Sequence, residues 1–120
     1  MRVLRTIVVA SVLLSSVALH AARWLLVIEE EQHLRRAEGI VLFRGVPIRN
    51  AEVTIFKRGT QEVMGRAVGG ADGHFRVRHL ASGAYDMQID ANGMNPMLWH
   101  IKVDGHGSKT PLNIEMPIGG

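Results

Sequence analysis

Residues 83–103 decide the fold, and they read GAYDMQIDANGMNPMLWHIKV. Apolar and polar side chains alternate on both sides of Asn92-Gly93, a pair that marks a turn. Successive side chains of a β-strand point to opposite faces, so this alternation is typical of strands with one buried face. We therefore predict two strands whose buried face is formed by Tyr85, Met87, Ile89, Ala91, Met97, Trp99, Ile101 and Val103.

The same alternation continues in both directions from this stretch. Five further strands are predicted at Gly39–Phe43, Ala51–Ile55, Glu62–Val68, Phe75–Val77 and Leu112–Met116. Turn signals such as Asp72-Gly73 separate them, and no strand alternates with a helical pattern. Short strands at this spacing predict an all-β fold, namely a seven-stranded antiparallel Greek-key β-sandwich.

Composition and charge narrow the functional classes. The 120 residues suffice for one domain and a short additional segment, and 47% of them are hydrophobic, enough to build a core. The formal net charge is +3, but Arg2 and Arg5 supply part of it ahead of the first apolar run. The rest of the chain is nearly neutral, which argues against a dedicated nucleic-acid binder. Because there is no cysteine, disulfides and thiolate metal sites are excluded.

The N-terminal region has a basic start followed by an uncharged run from Thr6 to Ala22. One interpretation is a secretory signal, because small residues precede a cleavage point near Ala18 and the product would be secreted. The other, which we favour, is an uncleaved signal-anchor or transmembrane helix over residues 1–28. The uncharged run would reach about 25 Å as a helix, close to the thickness of the hydrocarbon core.

Both interpretations export the rest of the chain. In the anchored form Arg5 borders the membrane on the cytoplasmic side, and Arg23 and Trp24 border it on the other side. The sequence therefore predicts a membrane-anchored protein whose body lies in the periplasm or another extracytoplasmic space.

The next segment, residues 29–38, reads EEEQHLRRAE and is strongly polar. Glu31 and Arg35 stand four residues apart in the order that favours a helical ion pair, so we predict a helical stalk. The alternative is an irregular linker with a first edge strand. The sandwich then occupies residues 39–120.

Four motifs stand in series along the predicted sandwich. They are Gly39–Val53, with its Gly-x-Val start and Ala-x-Val end, Ala71–Phe75, Leu80–Tyr85 and Ala91–Gly93. In order and spacing they resemble the carboxypeptidase regulatory-like domain, over residues 39–118. The resemblance implies the transthyretin (prealbumin)-like β-sandwich. Gly69-Gly70 departs from the family pattern, which often has a threonine ahead of the Asp-Gly turn.

The sequence offers little catalytic chemistry. Tyr85 is the single tyrosine and follows Gly83 as in a tyrosine corner, so we predict a buried ring whose hydroxyl bonds nearby backbone. There is no nucleophile, zinc-protease or phosphate-loop motif, and histidines such as His74, His79 and His100 are interpreted as exposed polar residues. We therefore expect no enzymatic activity, no metal and no cofactor.

Two surfaces are candidate partner sites. Basic residues on neighbouring strands, among them Arg66, Arg76 and Arg78, could form a face suited to lipid headgroups or an acidic partner. The tip around Met94 and Leu98 is expected to expose apolar side chains of the kind enriched at protein contacts.

These observations predict a non-enzymatic, membrane-anchored extracytoplasmic accessory module that docks on or stabilises a larger membrane or envelope protein complex. The alternative is an exported module that binds carbohydrate or another small ligand, as the resemblance also implies. Carbohydrate modules usually carry a strip of exposed aromatic residues, and here Phe56 alone has the required strand phase. Docking on a protein partner is therefore the preferred prediction.

Overall fold

The computed structural model describes residues 24–117, which form nine β-strands in two open sheets. The strands are β1 (Leu26–Leu34), β2 (Glu38–Phe43), β3 (Val46–Pro47), β4 (Glu52–Lys57), β5 (Val63–Val68), β6 (His74–Arg76), β7 (Gly83–Asp90), β8 (Met97–Val103) and β9 (Leu112–Glu115). The all-β prediction is confirmed for this range, in which no helix is long and apolar enough to cross a membrane. The predicted N-terminal helix, with Arg5 and Arg23, lies outside the described residues.

The larger sheet has five strands in the order β1-β8-β7-β4-β5. Its central strand, β7, pairs antiparallel with both β4 and β8. The edge strand β1 instead runs parallel to β8, from Leu26 opposite Met97 to Leu34 opposite Val103. The two ends of β1 therefore mark the two ends of this sheet.

The smaller sheet is built around β2, which pairs antiparallel with β3 and β6 and parallel with β9. Seven strands correspond to predicted ones, and β1 and β3 are additional. The parallel pairs, β1 with β8 and β2 with β9, correct the predicted antiparallel arrangement. Parallel neighbours cannot be joined by a tight hairpin. Because the partners are also distant in sequence, no local pattern indicates these pairings.

One hydrophobic core draws on both sheets. The alternation predicted for β7 and β8 is confirmed, since their inward side chains are at most 9% exposed. The smaller sheet contributes Val41, Phe75 and Ile114, which are also buried. Two open sheets that share one core are consistent with a β-sandwich.

The tyrosine corner is confirmed. The ring of Tyr85 is buried, and its hydroxyl donates a hydrogen bond to the carbonyl of Ala81 at 2.5 Å. Gly83 lies against this ring, because a Cβ added there would be 3.4 Å from the phenol oxygen. The contact fixes the loop between β6 and β7.

The helical stalk predicted over residues 29–38 is wrong. Most of this segment belongs to β1, and the chain then bends at residues 35–37 before β2 begins. Leu34 just before the bend and Ala37 at its last position are buried, at 3% and 1% exposure. Packing of these side chains in the core outweighs the few tenths of a kcal/mol, roughly, that one helical ion pair supplies.

The extension of the predicted membrane segment to residue 28 is also wrong. Leu26–Ile28 lie in β1, opposite Met97–Trp99 of β8. Trp24 precedes the strand and is 79% exposed. The alternative given for residues 29–38, a first edge strand, is therefore the correct one, and that strand begins earlier than expected, at Leu26.

Candidate docking surfaces

One end of the molecule carries an open depression of about 280 Å³ lined largely by basic side chains. We call it the basic depression, and its lining residues are Arg35, Arg36, Ala37, Arg76, Val77, Arg78, His79, Leu80 and Val103. The alanine and the two valines are buried, whereas all four arginines and the histidine are exposed. The depression therefore combines an apolar floor with a cationic rim.

Two chain segments bring the arginines together. The first pair lies in the bend between β1 and β2, and the second pair lies at the end of β6 and just beyond it. The N–H of Val77 donates a hydrogen bond to the carbonyl of Ala37 at 2.9 Å. Because these two residues are buried, their arginine neighbours are left facing the solvent.

None of the four arginines forms an ion pair with a carboxylate among residues 24–117. The arginine that does so in this range is Arg58. Like charges held close together repel one another, and an anion bound between them relieves the repulsion. A guanidinium group also binds carboxylate and phosphate groups through two parallel hydrogen bonds. The depression is therefore suited to an anionic ligand.

A second, smaller depression of about 240 Å³ continues the basic surface. It shares Arg35 and Arg36 with the basic depression, and its other lining residues are Glu38, Ser108, Lys109 and Thr110. The carboxylate of Glu38 lies 2.5 Å from Nε2 of His74 and is therefore already engaged. Cationic groups thus dominate both depressions.

A side-chain hydrogen bond braces the bend that carries the first two arginines. Nε2 of His33, near the end of β1, lies 2.7 Å from the carboxylate of Asp104, which follows β8. The hydrogen bond to His33, and then the one from the backbone N–H of His106, hold the pKa of Asp104 below its ordinary value. The N–H of Asp104 also donates to the carbonyl of Leu34. These contacts fix the end of β1 against the loop after β8.

The predicted basic strands do not form one face. Arg76 and Arg78 line the basic depression, but Arg66 does not. In β5, Gly65 and Ala67 face the core, so Arg66 points outward from the larger sheet. Arg76 stands between two buried residues of the smaller sheet and points outward from that sheet instead. Arg66 is therefore removed from the candidate site.

The predicted apolar tip is less exposed than expected. Met94 is half-buried and packs against the hydrophobic core. Leu98 is also half-buried, because it lies opposite Val27 of β1 on one side and Gln88 of β7 on the other. The prediction of two exposed side chains is wrong, because Met94 packs on the core and Leu98 lies beside β1, a strand that the sequence analysis did not place there.

The histidines are more engaged than predicted. Besides the His33 pair, His74 contacts Glu38, and Nδ1 of the half-buried His100 lies 2.7 Å from the carboxylate of Asp86. Within residues 24–117, no group of three or more histidine and acidic side chains is placed to hold a metal ion. Phe56, the candidate aromatic for a carbohydrate surface, is half-buried in β4.

The sequence analysis did not identify two of the four arginines of the basic depression. Arg35 and Arg36 are adjacent in the chain, but a helical stalk would have carried them away from β6. The available signal was the apolar residue on each side of the pair, Leu34 and Ala37, both of which prove to be buried. Placing the arginines correctly required the pairing of β1 with β8.

Comparison with known proteins agrees with the resemblance inferred from the motifs. No curated protein matches the chain significantly. Residues 38–117 match the carboxypeptidase regulatory-like domain, and the match spans β2 to β9, whereas β1 precedes it. The chain therefore belongs to the carboxypeptidase regulatory-like domain family.

Proposed function

We propose that the protein is a non-enzymatic, membrane-anchored accessory module. Its folded body lies outside the cytoplasm and docks through the basic depression on an acidic segment of a larger membrane or envelope protein complex. The observation that carries this proposal is the cluster of four arginines without an ion-pair partner among the described residues. The uncharged run from Thr6 to Ala22 supports the anchor.

The position of the depression favours a protein partner over lipid headgroups. The chain enters the domain at Trp24, and the nine residues of β1 then lead to the bend with the first two arginines. A strand of this length spans roughly 30 Å, well beyond the Debye length of roughly 8 Å at physiological ionic strength. Headgroups next to the anchor would therefore attract these arginines only weakly.

The floor of the depression indicates the form of the acidic segment. Val77 and Val103 are buried beneath it, and Leu80 is half-buried at its side. An apolar side chain can rest on this floor while neighbouring carboxylates reach the guanidinium groups. The expected ligand is thus a segment with acidic residues on both sides of an apolar one.

Charge reversal tests the docking proposal. The full-length protein is purified from solubilised native membranes as wild type and as the Arg35→Glu/Arg76→Glu variant, and co-purifying proteins are quantified. We expect roughly a tenfold or greater loss of the partner, because two attractive charge pairs become repulsive. Wild-type recovery should also fall as the salt concentration of the wash rises.

Arg66→Glu is the matched control. Arg66 is also exposed and has no ion-pair partner among residues 24–117, but it lies on the outer face of the larger sheet, away from the basic depression. It should retain the partner. Equal retention by the double variant, or a wild-type protein that leaves native membranes without any partner, would overturn the docking proposal.

A further inference from the structure

Exposed apolar side chains gather at the end of the molecule opposite the basic depression. We call it the Trp24 end, and it comprises residues 24–26, the β2–β3 turn with Val46, the end of β5 with Val68, and the β7–β8 turn. Trp24, Val46 and Val68 are 79%, 63% and 64% exposed. Within residues 24–117, five of the seven large exposed apolar side chains lie at this end, Leu25 and Leu26 being the others.

The pairing of the larger sheet places three of these segments together. The N–H of Leu26 donates to the carbonyl of Pro96 in the β7–β8 turn, at 3.0 Å. Glu52, the first residue of β4, lies opposite Asp90 at the end of β7 and opposite Val68 at the end of β5. One end of the larger sheet therefore brings together the starts of β1, β4 and β8 and the ends of β5 and β7.

The β2–β3 turn joins the same end from the smaller sheet. β2 begins after the bend at the basic depression and runs back toward the Trp24 end. Gly73, which follows β5, contacts Pro47 of β3, because a Cβ added at Gly73 would lie 3.3 Å from the proline side chain. Val46 is the neighbour of this proline and is exposed.

We infer that the Trp24 end rests on the surface of a lipid bilayer, with its exposed apolar side chains in the interfacial layer. The inference depends on the anchoring part of the proposed function. The sequence indicates a bilayer as the partner of this end, because the uncharged run Thr6–Ala22 is separated from Trp24 by a single residue, Arg23. Tryptophan prefers the membrane interface, and a patch of apolar side chains gains free energy when it leaves water there.

Charged groups at this end are compatible with lipid headgroups. Arg44 and Arg49 are exposed, and the guanidinium of Arg44 lies 5.3 Å from the centre of the Phe43 ring. Glu52 and Asp72 are exposed there too. With both signs of charge present, an anionic lipid is not required, and phosphatidylcholine is a sufficient test surface.

Tryptophan fluorescence can locate the domain relative to the bilayer. Both native tryptophans are replaced, as Trp24→Phe and Trp99→Phe. The second change should be tolerated, because the buried Nε1 of Trp99 has no hydrogen-bond partner in the described part of the chain. A single probe is then introduced as Val68→Trp, with Met64→Trp as its control. Positions 64 and 68 lie at opposite ends of β5, and both are exposed.

The full-length variants are reconstituted into phosphatidylcholine vesicles that contain lipids brominated near the headgroup end of the acyl chain. We expect about a twofold loss of fluorescence for the probe at position 68, which the inference places in the interfacial layer, and little loss at position 64, because bromine quenches only a tryptophan close to it. An aqueous quencher should show the reverse order. Thermal unfolding of each variant verifies that the fold is retained.

The possible failures are distinguishable. If the protein floats with the vesicles but the fluorescence of the probe at position 68 is not quenched, the domain stands away from the bilayer. If the probes at positions 64 and 68 are quenched equally, the domain lies flat on it. Either result overturns the inference and leaves anchoring intact. Protein that fails to float overturns the anchor and the inference together.

Discussion

The guanidinium of Arg58 lies 2.9 Å from the carboxylate of Glu31 and so connects the β4–β5 turn to the edge strand β1. The same group donates hydrogen bonds to the carbonyls of Tyr85 and Ile101 and lies 3.1 Å from Asp86. One side chain thus contacts β1, β7 and β8. Glu31 lies where β1 bulges out of register with β8, so Arg58 supports the part of β1 with the fewest ladder hydrogen bonds.

Removal of this side chain should destabilise the domain. Arg58→Ala removes the guanidinium from the 8% exposed Asp86, whose remaining partners are His100 and the backbone N–H of Gly59, and leaves the carbonyl of Ile101 without this donor. We expect a loss of about 1–3 kcal/mol in the free energy of unfolding, measured by urea denaturation. Arg66→Ala, at an exposed arginine of the same sheet, should change it by less than about 0.5 kcal/mol. Equal effects would contradict the bracing role of Arg58.

Truncation of Phe75 tests the phase of β6. Phe75 is 2% exposed, and its ring lies against Gly39 of the neighbouring strand. Phe75→Ala should lower the free energy of unfolding by about 3–5 kcal/mol, because it leaves a cavity between the sheets. Arg76→Ala, one residue further on the outer face, serves as the control and should have little effect. A comparable loss at both positions would show that the strand phase is wrong.

The His33–Asp104 pair predicts a specific response to acid. Because the pKa of Asp104 is lowered in the folded protein, its ionised form stabilises the fold above the ordinary pKa of an aspartate. This contribution is lost as the pH falls through the lower, folded-state value. Asp104→Asn should therefore be less stable than wild type near neutral pH, and the difference should shrink below about pH 4. Urea midpoints measured over this range check the prediction, and two parallel curves would refute it.

The state of the N-terminus can be measured directly. We predict that the mature protein keeps residues 1–28, as the proposed membrane anchor requires. Intact-mass analysis of the protein from native membranes should give the full-length chain. A mature N-terminus near Leu19 would show that the segment is a cleaved signal and that the body is released in soluble form.

The sheets illustrate which features a sequence reveals. The period of two in β7 and β8 correctly identified Met87 and Ile101 as core residues, and both are fully buried. The pattern was reliable because these strands have one face in the core and a turn at Asn92-Gly93 between them. Alternation is a local property, so it remains visible without any knowledge of strand partners.

The candidate site was less predictable because it depends on β1. The apolar start of this strand merges with the uncharged run before it, and its polar end has the charge spacing of a helix. Its partner β8 lies far along the chain, and the family match begins only after it. The unrecognised strand explains two errors together, namely the missed Arg35 and Arg36 and the overestimated exposure of Leu98.

The direction of β1 has a mechanical consequence. Its first residue lies at the Trp24 end and its last lies beside the basic depression. In the proposed function, a pull between the anchored N-terminus and the docked partner would therefore act along the strand. Such a load shears the hydrogen bonds between β1 and β8 simultaneously, whereas a pull across the strand would peel them apart one after another. In the proposed function, a parallel edge strand at this position would allow the domain to resist tension, and the Glu31–Arg58 and His33–Asp104 contacts would hold the strand at two further points.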